Sequence, residues 1–543
     1  MKKSISLLAL VIATLLMLTS CMPLATIVAS TPLPTPQTNI STSGTTDESL
    51  TTKVEDITTP TTATTTGTTG IAITQTNAPV AIPDINDPKG KNEPRPGFEN
   101  VNFGGYTFTF ASPINATDTW NDYEVYADEN NTGIHASSIR ERNQVLKELY
   151  NCSIAVVDID SVTLSDDLAT NQNRIDLVLT RYNVGTKADG KYHNFYSLGI
   201  DLDKPWWDQN FIKDVTLNGQ LYTMLGAFSL TSLDATWVMF FNKTVKANNA
   251  DLRRMDFYEL VLWDVWTLDK FYEIVKLAAV DDGDTNMTLG SADTFGLVSS
   301  SLAIRGLYFG AGQSYINKTD SGDDVTSFTT GLTQTASDVT DKIIQIYGDS
   351  ASAITNYMAV EKQMRANKVL FTPDCLRMAS KYLSDESGKD LVEFGVLPFP
   401  KYNGEQEEFR HNVDNHFIYL CVPTTCTDLT RITRFLEVYA YHSYYTVYKD
   451  YTDRYRYQYT TDLDSPMMVG EFILKTRCFD IAYHFNLAGI DSEYSSCVQK
   501  GENLIPTMGT AFSGAMIESA NNYLERYYSK DSKSNNTTPV TKN

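Results

Sequence analysis

The stretch Ile175-Asp-Leu-Val-Leu-Thr180 has the short, aliphatic composition of a buried strand, and Arg181 and Tyr182 follow it directly. Strands of this kind are typical of parallel sheets that are covered on both faces. In such α/β folds a ligand site lies outside the carboxyl ends of the strands. The stretch therefore predicts an α/β fold with Arg181 and Tyr182 at a binding edge, although an ion pair at the strand end would also explain Arg181.

The segments on both sides of this strand alternate between strand and helix patterns. Tyr106 to Phe110 alternates polar and apolar residues, and a helix is predicted from Ser137 to Tyr150. A further strand, Ile154 to Ile159, completes a β-α-β rhythm, which supports the α/β class. The same criteria predict strands at Val238–Phe241, Phe394–Pro398 and Phe417–Val422, and helices at Leu268–Ala279, Leu429–Tyr445, Met467–Asp480 and Ala511–Tyr527.

The composition excludes several classes of protein. The chain has 543 residues, 42% of them apolar, so it is too long for one ordinary domain and we expect at least two lobes. Its formal charge of −22 argues against a nucleic-acid or anionic-membrane surface, because either needs a basic face. The seven cysteines lack the spacing of a zinc ribbon or a disulfide scaffold.

The N-terminus has the pattern of an export signal. Lys2 and Lys3 precede an apolar run from Ile5 to Leu18, which at about fourteen residues is too short to span a bilayer comfortably. The run ends in Leu18-Thr-Ser-Cys21, which resembles the lipobox of bacterial lipoproteins. This resemblance implies that residues 1–20 are a lipoprotein signal peptide and that Cys21 becomes the lipid anchor, although a general secretory signal would also fit.

Two polar segments flank the predicted folded body. Residues 21–100 are dominated by Thr, Ser and Pro and cannot bury enough apolar surface to offset the entropy of the chain. We interpret them as a disordered tether behind the lipid anchor. Residues 529–543 are a polar tail.

Several short segments occur in the order found in one known family. The order of these segments behind a lipobox resembles the extracellular solute-binding proteins of family 1, the sugar-binding lipoproteins of ABC transporters, over about Phe103 to Tyr527. The loose stretch Asn248 to Val265 departs from the family pattern, so the resemblance does not identify a ligand. The segments are Tyr106 onward, Asp176–Thr180, Lys204–Asp208, Asn218–Tyr222, Phe240–Lys243, Trp266–Lys270, Gly395–Lys401 and Val422–Thr425.

The resemblance implies a two-lobed, periplasmic-binding-protein-like type II fold with a hinge between the lobes. Lobe 1 would comprise residues 101–236 and 408–455, and lobe 2 residues 237–407 and 456–528. It also implies a monomer on the outer face of the bacterial cytoplasmic membrane that delivers a carbohydrate to ABC permease subunits. Such a receptor needs no cofactor and makes or breaks no bond.

A carbohydrate site needs aromatic platforms for the C–H faces of the sugar and Asp, Asn or Arg side chains for its hydroxyls. Ser232-Leu-Asp234-Ala-Thr-Trp237 leads into a strand that should cross between the lobes, so Asp234 and Trp237 are predicted at the hinge. A core position would also explain Trp237. The resemblance adds Tyr308, Asp374 and Phe512 on the second lobe, and Asn412 and Asp414 in the return crossing.

Two other aromatic groups are interpreted as packing. In Trp206-Trp207, an extended chain would point one ring inward and the other outward. The tyrosines between Tyr439 and Tyr459 have the spacing of a buried helix face.

Other chemistries receive less support from the sequence. Asp282, Asp284, Asn286 and Asp293 follow a calcium-loop spacing, but Met287 stands where such a loop needs glycine, so a solvated acidic loop is the better interpretation. No nucleophile or phosphate-binding motif is present, and the six histidines are scattered. Two alternatives stay open, a secreted glycan-active hydrolase with paired carboxyls and a ligand sensor for a membrane kinase.

Overall fold

The computed structural model describes residues 97–98, 100–112, 124–130, 133–158, 175–181, 190–321, 325–384, 391–460 and 462–528. The predicted signal peptide, Cys21, the tether up to residue 96, Tyr182 and the polar tail lie outside these residues. Within the described part of the chain, no helix combines the length and the apolarity that crossing a membrane requires.

The described residues form a mixed α/β structure. The strands are β1 (Tyr106–Ser112), β2 (Cys152–Asp158), β3 (Leu177–Thr180), β4 (Trp237–Asn242), β5 (Phe295–Ser300), β6 (Ile316–Asp320), β7 (Thr326–Thr330), β8 (Ser352–Thr355), β9 (Val369–Cys375), β10 (Phe394–Leu397), β11 (His411–Asn412), β12 (Tyr419–Cys421) and β13 (Arg477–Cys478). The α-helices are α1 (Ala136–Tyr150), α2 (Gln209–Val215), α3 (Leu230–Asp234), α4 (Lys243–Asn248), α5 (Phe257–Leu262), α6 (Leu268–Ala278), α7 (Ile304–Gly310), α8 (Gln334–Gly348), α9 (Tyr357–Arg365), α10 (Met378–Leu383), α11 (Leu429–Ser443), α12 (Lys449–Tyr457), α13 (Asp464–Met467), α14 (Ile481–His484), α15 (Ile490–Gln499) and α16 (Leu504–Tyr528). Two π-helical segments, Tyr444–Tyr448 and Met468–Ile473, continue α11 and α13.

Two larger sheets organise these elements. The first has the strand order β12-β3-β1-β2, with β1 parallel to β2 and β3, and β12 antiparallel to β3. The second has the order β10-β4-β9-β5-β8, in which β5 runs parallel to β8 and β9, and β4 runs antiparallel to β9 and β10. The chain places β1 to β3 in the first sheet, β4 to β10 mainly in the second, and β12 back in the first.

Most of the strands predicted from local patterns are confirmed. The Thr267 hydroxyl accepts from the Lys270 N–H and begins α6, as the sequence indicated. The helix predicted from Met467 to Asp480 is wrong in its last residues, because helical structure ends at Thr476 and β13 follows. There Arg477 and Cys478 pair with His411 and Asn412, so a ladder to a distant segment replaces the last helical turn.

The two adjacent tryptophans are both buried, so the expectation that one ring would face outward is wrong. The chain turns here instead of running extended, since the Trp207 N–H donates to the Lys204 carbonyl over 3.1 Å. The Trp206 indole donates to the Glu437 carboxylate over 3.1 Å, and the Trp207 ring packs edge-on against Phe228. The Tyr-rich stretch is mainly packing, as expected, with fully buried rings at Tyr439, Tyr441, Tyr451 and Tyr455.

Candidate functional site

Three chain segments run side by side, and the first two of them carry the chain from one of the two larger sheets to the other. The first is 235–237, the second 411–414 and the third 477–478. The Asp414 N–H donates to the Ala235 carbonyl over 2.8 Å, and Thr236 pairs with Val413. His411 and Asn412 pair in parallel with Arg477 and Cys478. We call these the crossing segments; the first two coincide with the predicted hinge positions, and the third was not predicted.

The carboxyl end of β9 lies against the first crossing segment. Trp237 pairs with Cys375 and Val238 with Asp374. The Leu376 N–H donates to the Thr236 carbonyl over 2.9 Å, and the Arg377 N–H donates to the Asp234 carbonyl over 3.2 Å. These backbone contacts place the half-buried side chains of Asp234, Asp374 and Arg377 at one edge of the second sheet.

A largely buried polar network adjoins the crossing segments. Its members, which we call the crossing cluster, are the buried Trp237, Arg305, Asp414 and Tyr483 and the partly buried Asp491. The Asp414 carboxylate accepts from the Trp237 indole over 3.1 Å and from the Tyr483 hydroxyl over 3.4 Å. Arg305 lies 3.6 Å from Asp414 and 2.9 Å from Asp491, and its guanidinium stacks on the Tyr483 ring at 4.6 Å. The cluster thus connects the hinge to α7, α14 and α15.

The carboxyls at this site are held in different protonation states. Burial alone would raise the pKa of Asp414, but the hydrogen bond from His416 and the positive charge of Arg305 hold that pKa below its ordinary value. Burial raises the pKa of Asp374 to about 7, and the negative charge of Asp414 adds to the rise. At neutral pH the site therefore combines an ionised Asp414 with an Asp374 carboxyl that is partly protonated.

We expect the Asp374→Asn substitution to flatten part of the pH dependence of stability. The pKa of Asp374 is raised to about 7 in the folded state. The stability that protonated Asp374 supplies is therefore fully present below about pH 4 and is lost as pH rises to about 7. Relative to wild type, the variant should gain free energy of unfolding between pH 4 and pH 8 in urea titrations. Asp251→Asn, at an exposed carboxyl, is the control, and equal pH slopes for wild type and Asp374→Asn would contradict the assignment.

Two further polar side chains near the hinge are buried without hydrogen-bond partners among the described residues. One is Asn412, which is 1% exposed, and the other is His484, also 1% exposed. The His484 imidazole lies among the rings of Phe417, Phe479 and Tyr483 at centroid distances of 5.4, 5.6 and 5.1 Å. This burial lowers the pKa of His484 to about 3, so the ring is neutral at physiological pH.

The structure brings together five of the predicted site residues and leaves others apart. Trp237, Asn412 and Asp414 lie in the crossing segments, and Asp234 and Asp374 lie beside them. Asp234 also accepts a hydrogen bond from the Tyr451 hydroxyl over 2.9 Å. Whether these residues contact a ligand stays a prediction.

The remaining predicted residues lie elsewhere. Arg181 follows β3 at the carboxyl end of the first sheet, as expected. Tyr308 is fully buried, stacked on Tyr315, and its hydroxyl donates to the Ser314 carbonyl over 3.2 Å. This is a core position that offers a ligand no surface, so the structure does not support a ligand contact by Tyr308. Phe512 is half-buried in α16, where it packs on the core.

Arg305, Tyr483 and Asp491 were missed by sequence reasoning. One signal was available for Arg305, because it follows the apolar strand β5 by a few residues, much as Arg181 follows β3. Tyr483 and Asp491 stand on short C-terminal helices whose sequences give no comparable signal.

Two cavities lie among the described residues, and the smaller one borders the second and third crossing segments through Arg410 and Phe479. One, of about 280 Å³, is lined by residues that include Lys213, Lys318, Arg410 and Asp480. The other, of about 710 Å³, adjoins the acidic loop. In that loop the carboxylates of Asp281, Asp282 and Asp293 lie within 4.8 Å of one another, and Asp293 accepts from the N–H groups of Asp282 and Thr288. The Asp293 carboxylate thus stabilises its own turn.

Comparison with known proteins gives a likeness in structure alone. The sequence matches no protein-family model, and no curated protein is significantly similar to it. Among solved structures, the chain is similar to UspC of Mycobacterium tuberculosis, with 12% identity and a TM-score of 0.50 over 76% of this chain and 100% of that one. It is also similar to a sugar transporter from Rhizobium etli in an open conformation, with 14% identity and a TM-score of 0.48 over 76% and 99% of the two chains. A third is the galacto-N-biose/lacto-N-biose I-binding protein of the ABC transporter from Bifidobacterium longum, with 13% identity and a TM-score of 0.48 over 78% and 98%.

At these identities the likeness concerns the fold. The likeness to UspC shows that the chain has a two-lobed, periplasmic-binding-protein-like α/β fold.

Proposed function

We propose that the protein is a solute-binding protein that captures a carbohydrate for an ABC importer. Its lipid anchor at Cys21 would hold it on the outer face of the bacterial cytoplasmic membrane. The single observation that carries this proposal is the placement of polar side chains where the crossing segments meet the carboxyl edge of the second sheet. In α/β proteins this is the position at which ligands bind.

The residues at this edge suit a neutral, hydroxyl-rich ligand. Asp234, Asp374 and Arg377 are half-buried, so they retain surface for hydrogen bonds to hydroxyls. Carboxylate and guanidinium groups together provide both acceptors and donors. The net charge of −22 disfavours a polyanionic ligand.

Closure about the crossing segments would couple capture to delivery. A ligand that contacts both lobes gains some contacts only in the closed form, and it shifts the population toward closure by the free energy of those contacts. No covalent step is required.

The hydrolase alternative needs two carboxyls that are free to act on a sugar. Asp374 and Asp414 are near enough to influence each other, and their pKa values are shifted in opposite directions. Asp414, however, is 5% exposed and engaged by Trp237, Arg305, Tyr483 and His416, so it is not available as a base or nucleophile. This arrangement favours binding over catalysis.

We expect a carbohydrate of the right class to raise the unfolding temperature of the full chain, purified in detergent. A ligand that binds only the native state adds about 2.7 kcal/mol to stability at 100 times its Kd. The measurement is thermal unfolding against a panel of mono- and oligosaccharides, followed by chromatography of the recovered sugar. Recovery of intact sugar supports a receptor, recovery of cleaved sugar favours the hydrolase, and no shift with any sugar contradicts the proposal.

A further inference from the structure

The three crossing segments and their neighbours form an ordered ladder. The end of β9 pairs with the first crossing segment, the first pairs with the second, and the second pairs with the third. The third is followed by Phe479, whose N–H donates to the Asp214 carboxylate of α2 over 2.9 Å. The polar edge at Asp374 and helix α2 therefore lie on opposite flanks of the ladder.

On the α2 flank, a turn joined to the first sheet meets a hairpin joined to the second. Residues 217–220 form the turn, and Met224 just beyond it exchanges hydrogen bonds of 2.9 and 3.0 Å with Leu420 of β12. Strands β6 and β7 form the hairpin, which lies between β5 and β8 in the chain. The Thr330 hydroxyl of the hairpin lies 2.7 Å from the Ser513 hydroxyl of α16, and α16 packs on α8.

Reciprocal hydrogen bonds join the turn to the hairpin. The Asn218 N–H donates to the Thr326 hydroxyl over 2.8 Å, and the Thr326 N–H donates to the Asn218 side chain over 2.9 Å. The Asn218 side-chain amide also donates to the Tyr528 carbonyl at the end of α16 over 2.9 Å. The Lys318 ammonium of β6 donates to the Thr216 carbonyl over 2.8 Å. We call these contacts the latch.

The latch lies beside the smaller cavity and can part at modest cost. This cavity, of about 280 Å³, is lined by residues of α2, of β6 and of the chain after the third crossing segment, so the two sides are not packed solidly here. The donors and acceptors of the latch can pair with water when they separate. One ring contact, between Tyr222 and Tyr528 at 5.2 Å, adds apolar area. Polar junctions of this kind permit relative motion of the parts that they join.

We propose that the latch opposes closure, and that Asn218, Thr326 and Lys318 thereby set ligand affinity without contacting the ligand. This inference rests on the solute-binding function proposed above. A rotation about the crossing segments that closes the lobes over Asp374 must draw them apart on the opposite flank, where the latch lies. Ligand binding then has to break these hydrogen bonds, so the apparent affinity is lowered by the fraction of molecules that is unlatched. The three residues are positioning residues.

Calorimetric titration of the detergent-purified full chain tests the effect on affinity. The probes are glucose, galactose and xylose, each with its linked di- and trisaccharides. Asn218→Gly combined with Lys318→Met removes side-chain bonds of the latch and keeps the turn, because glycine readily adopts the φ of +50° at position 218. For a sugar that binds wild type, the double variant should bind about tenfold more tightly, a difference of about 1.4 kcal/mol. Mere structural damage would not tighten binding.

Asn367→Gly combined with Lys342→Met is the matched control. Asn367 also has a left-handed φ, of +55°, and its side chain accepts from Asn242 of β4 over 2.8 Å. Lys342 of α8 pairs with Asp269 of α6 over 2.7 Å. Both contacts lie on the side of the second sheet and do not cross to the first. The control should bind every sugar as wild type does.

Hydrogen exchange of wild type tests the latch without any substitution. Mass spectrometry of peptides that contain Asn218 or Thr326 should show faster exchange with bound sugar than without it, because closure opens the latch. Slower exchange there in the bound form would place the latch in the closed form and overturn the inference. Unchanged or weaker sugar binding by the latch double variant would also overturn it, while leaving the carbohydrate function intact. If no sugar binds wild type, the proposed function itself fails and the inference fails with it.

Discussion

We expect the Arg305→Met substitution to lower the free energy of unfolding by about 3–5 kcal/mol, because it leaves the buried Asp414 carboxylate and the partly buried Asp491 carboxylate without the Arg305 cation. Arg305 is 7% exposed and lies 3.6 Å from Asp414 and 2.9 Å from Asp491. The long methionine side chain replaces much of the lost volume, so the effect reports mainly on charge. Urea unfolding at pH 7.5 measures it.

A control variant and a second substitution that should restore stability test this role of Arg305. Arg456→Met, at an exposed arginine, should change stability by less than about 0.5 kcal/mol. Adding Asp491→Asn to Arg305→Met should recover part of the loss, because one of the two unpaired charges is removed. A single variant as stable as wild type, or a double variant that is less stable than the single one, would contradict the role of Arg305 as the buried counter-ion.

We expect Arg305→Met also to affect ligand binding, because Arg305 helps to position Trp237 and not because it contacts the ligand. The Trp237 indole is held by Asp414, which Arg305 and Tyr483 hold in turn. Loosening this chain of contacts should weaken binding at the proposed carbohydrate site as well as stability. The indole and the second crossing segment would no longer be fixed relative to each other.

Local sequence patterns predicted the strands of the first sheet and two strands of the second, β4 and β10, but they did not predict β5, β8 or β9. The short aliphatic run from Ile175 to Thr180 contains the buried strand β3, and the run from Val238 to Phe241 lies within the buried strand β4. The hydrophobic pattern of a buried strand depends only on residues next to one another in the sequence. Such a strand can therefore be predicted without knowing which strand pairs with it. The position of Asp234 shortly before β4 followed from the predicted strand at Val238, whereas the position of Asp414 was implied by the family resemblance.

The chemistry around the hinge could not be predicted in the same way. Arg305 and Asp414 meet because α7 and the second crossing segment pack together in space, and no spacing in the sequence encodes that contact. The third crossing segment could not be predicted from the sequence for a related reason. Residues 477–478 continue a helical pattern locally, but their pairing with His411 and Asn412 outweighs it. Both failures concern contacts between segments far apart in the chain.

Substituting His484 with phenylalanine should make the protein markedly more resistant to acid. Burial lowers the pKa of His484 to about 3 in the folded state, from an ordinary value near 6.5. As pH falls below about 6.5, His484 therefore binds a proton in the unfolded chain but stays neutral in the folded chain. Stability supplied by this group is fully present above pH 6.5 and is lost progressively down to about pH 3. At pH 4.5 the loss is about 2–3 kcal/mol.

His484→Phe should abolish this loss with little change at neutral pH. The imidazole has no hydrogen-bond partner among the described residues, and it is surrounded by Phe417, Phe479 and Tyr483. A phenyl ring of similar shape suits that environment and cannot take up a proton. Urea unfolding between pH 4 and pH 8 should show that the free-energy difference between variant and wild type grows as pH falls.

Comparison with His411→Phe distinguishes the effect of removing a titratable group from the effect of removing hydrogen bonds. Burial also lowers the pKa of His411 to about 3, but its imidazole accepts from the Phe399 N–H over 3.2 Å and contacts the Thr476 hydroxyl at 3.0 Å. His411→Phe should therefore lose about 1–3 kcal/mol at pH 7.5, where His484→Phe does not, because a buried N–H is left without its acceptor. Equal acid sensitivity of His484→Phe and wild type would show that His484 is not the neutral, buried group that this structure describes.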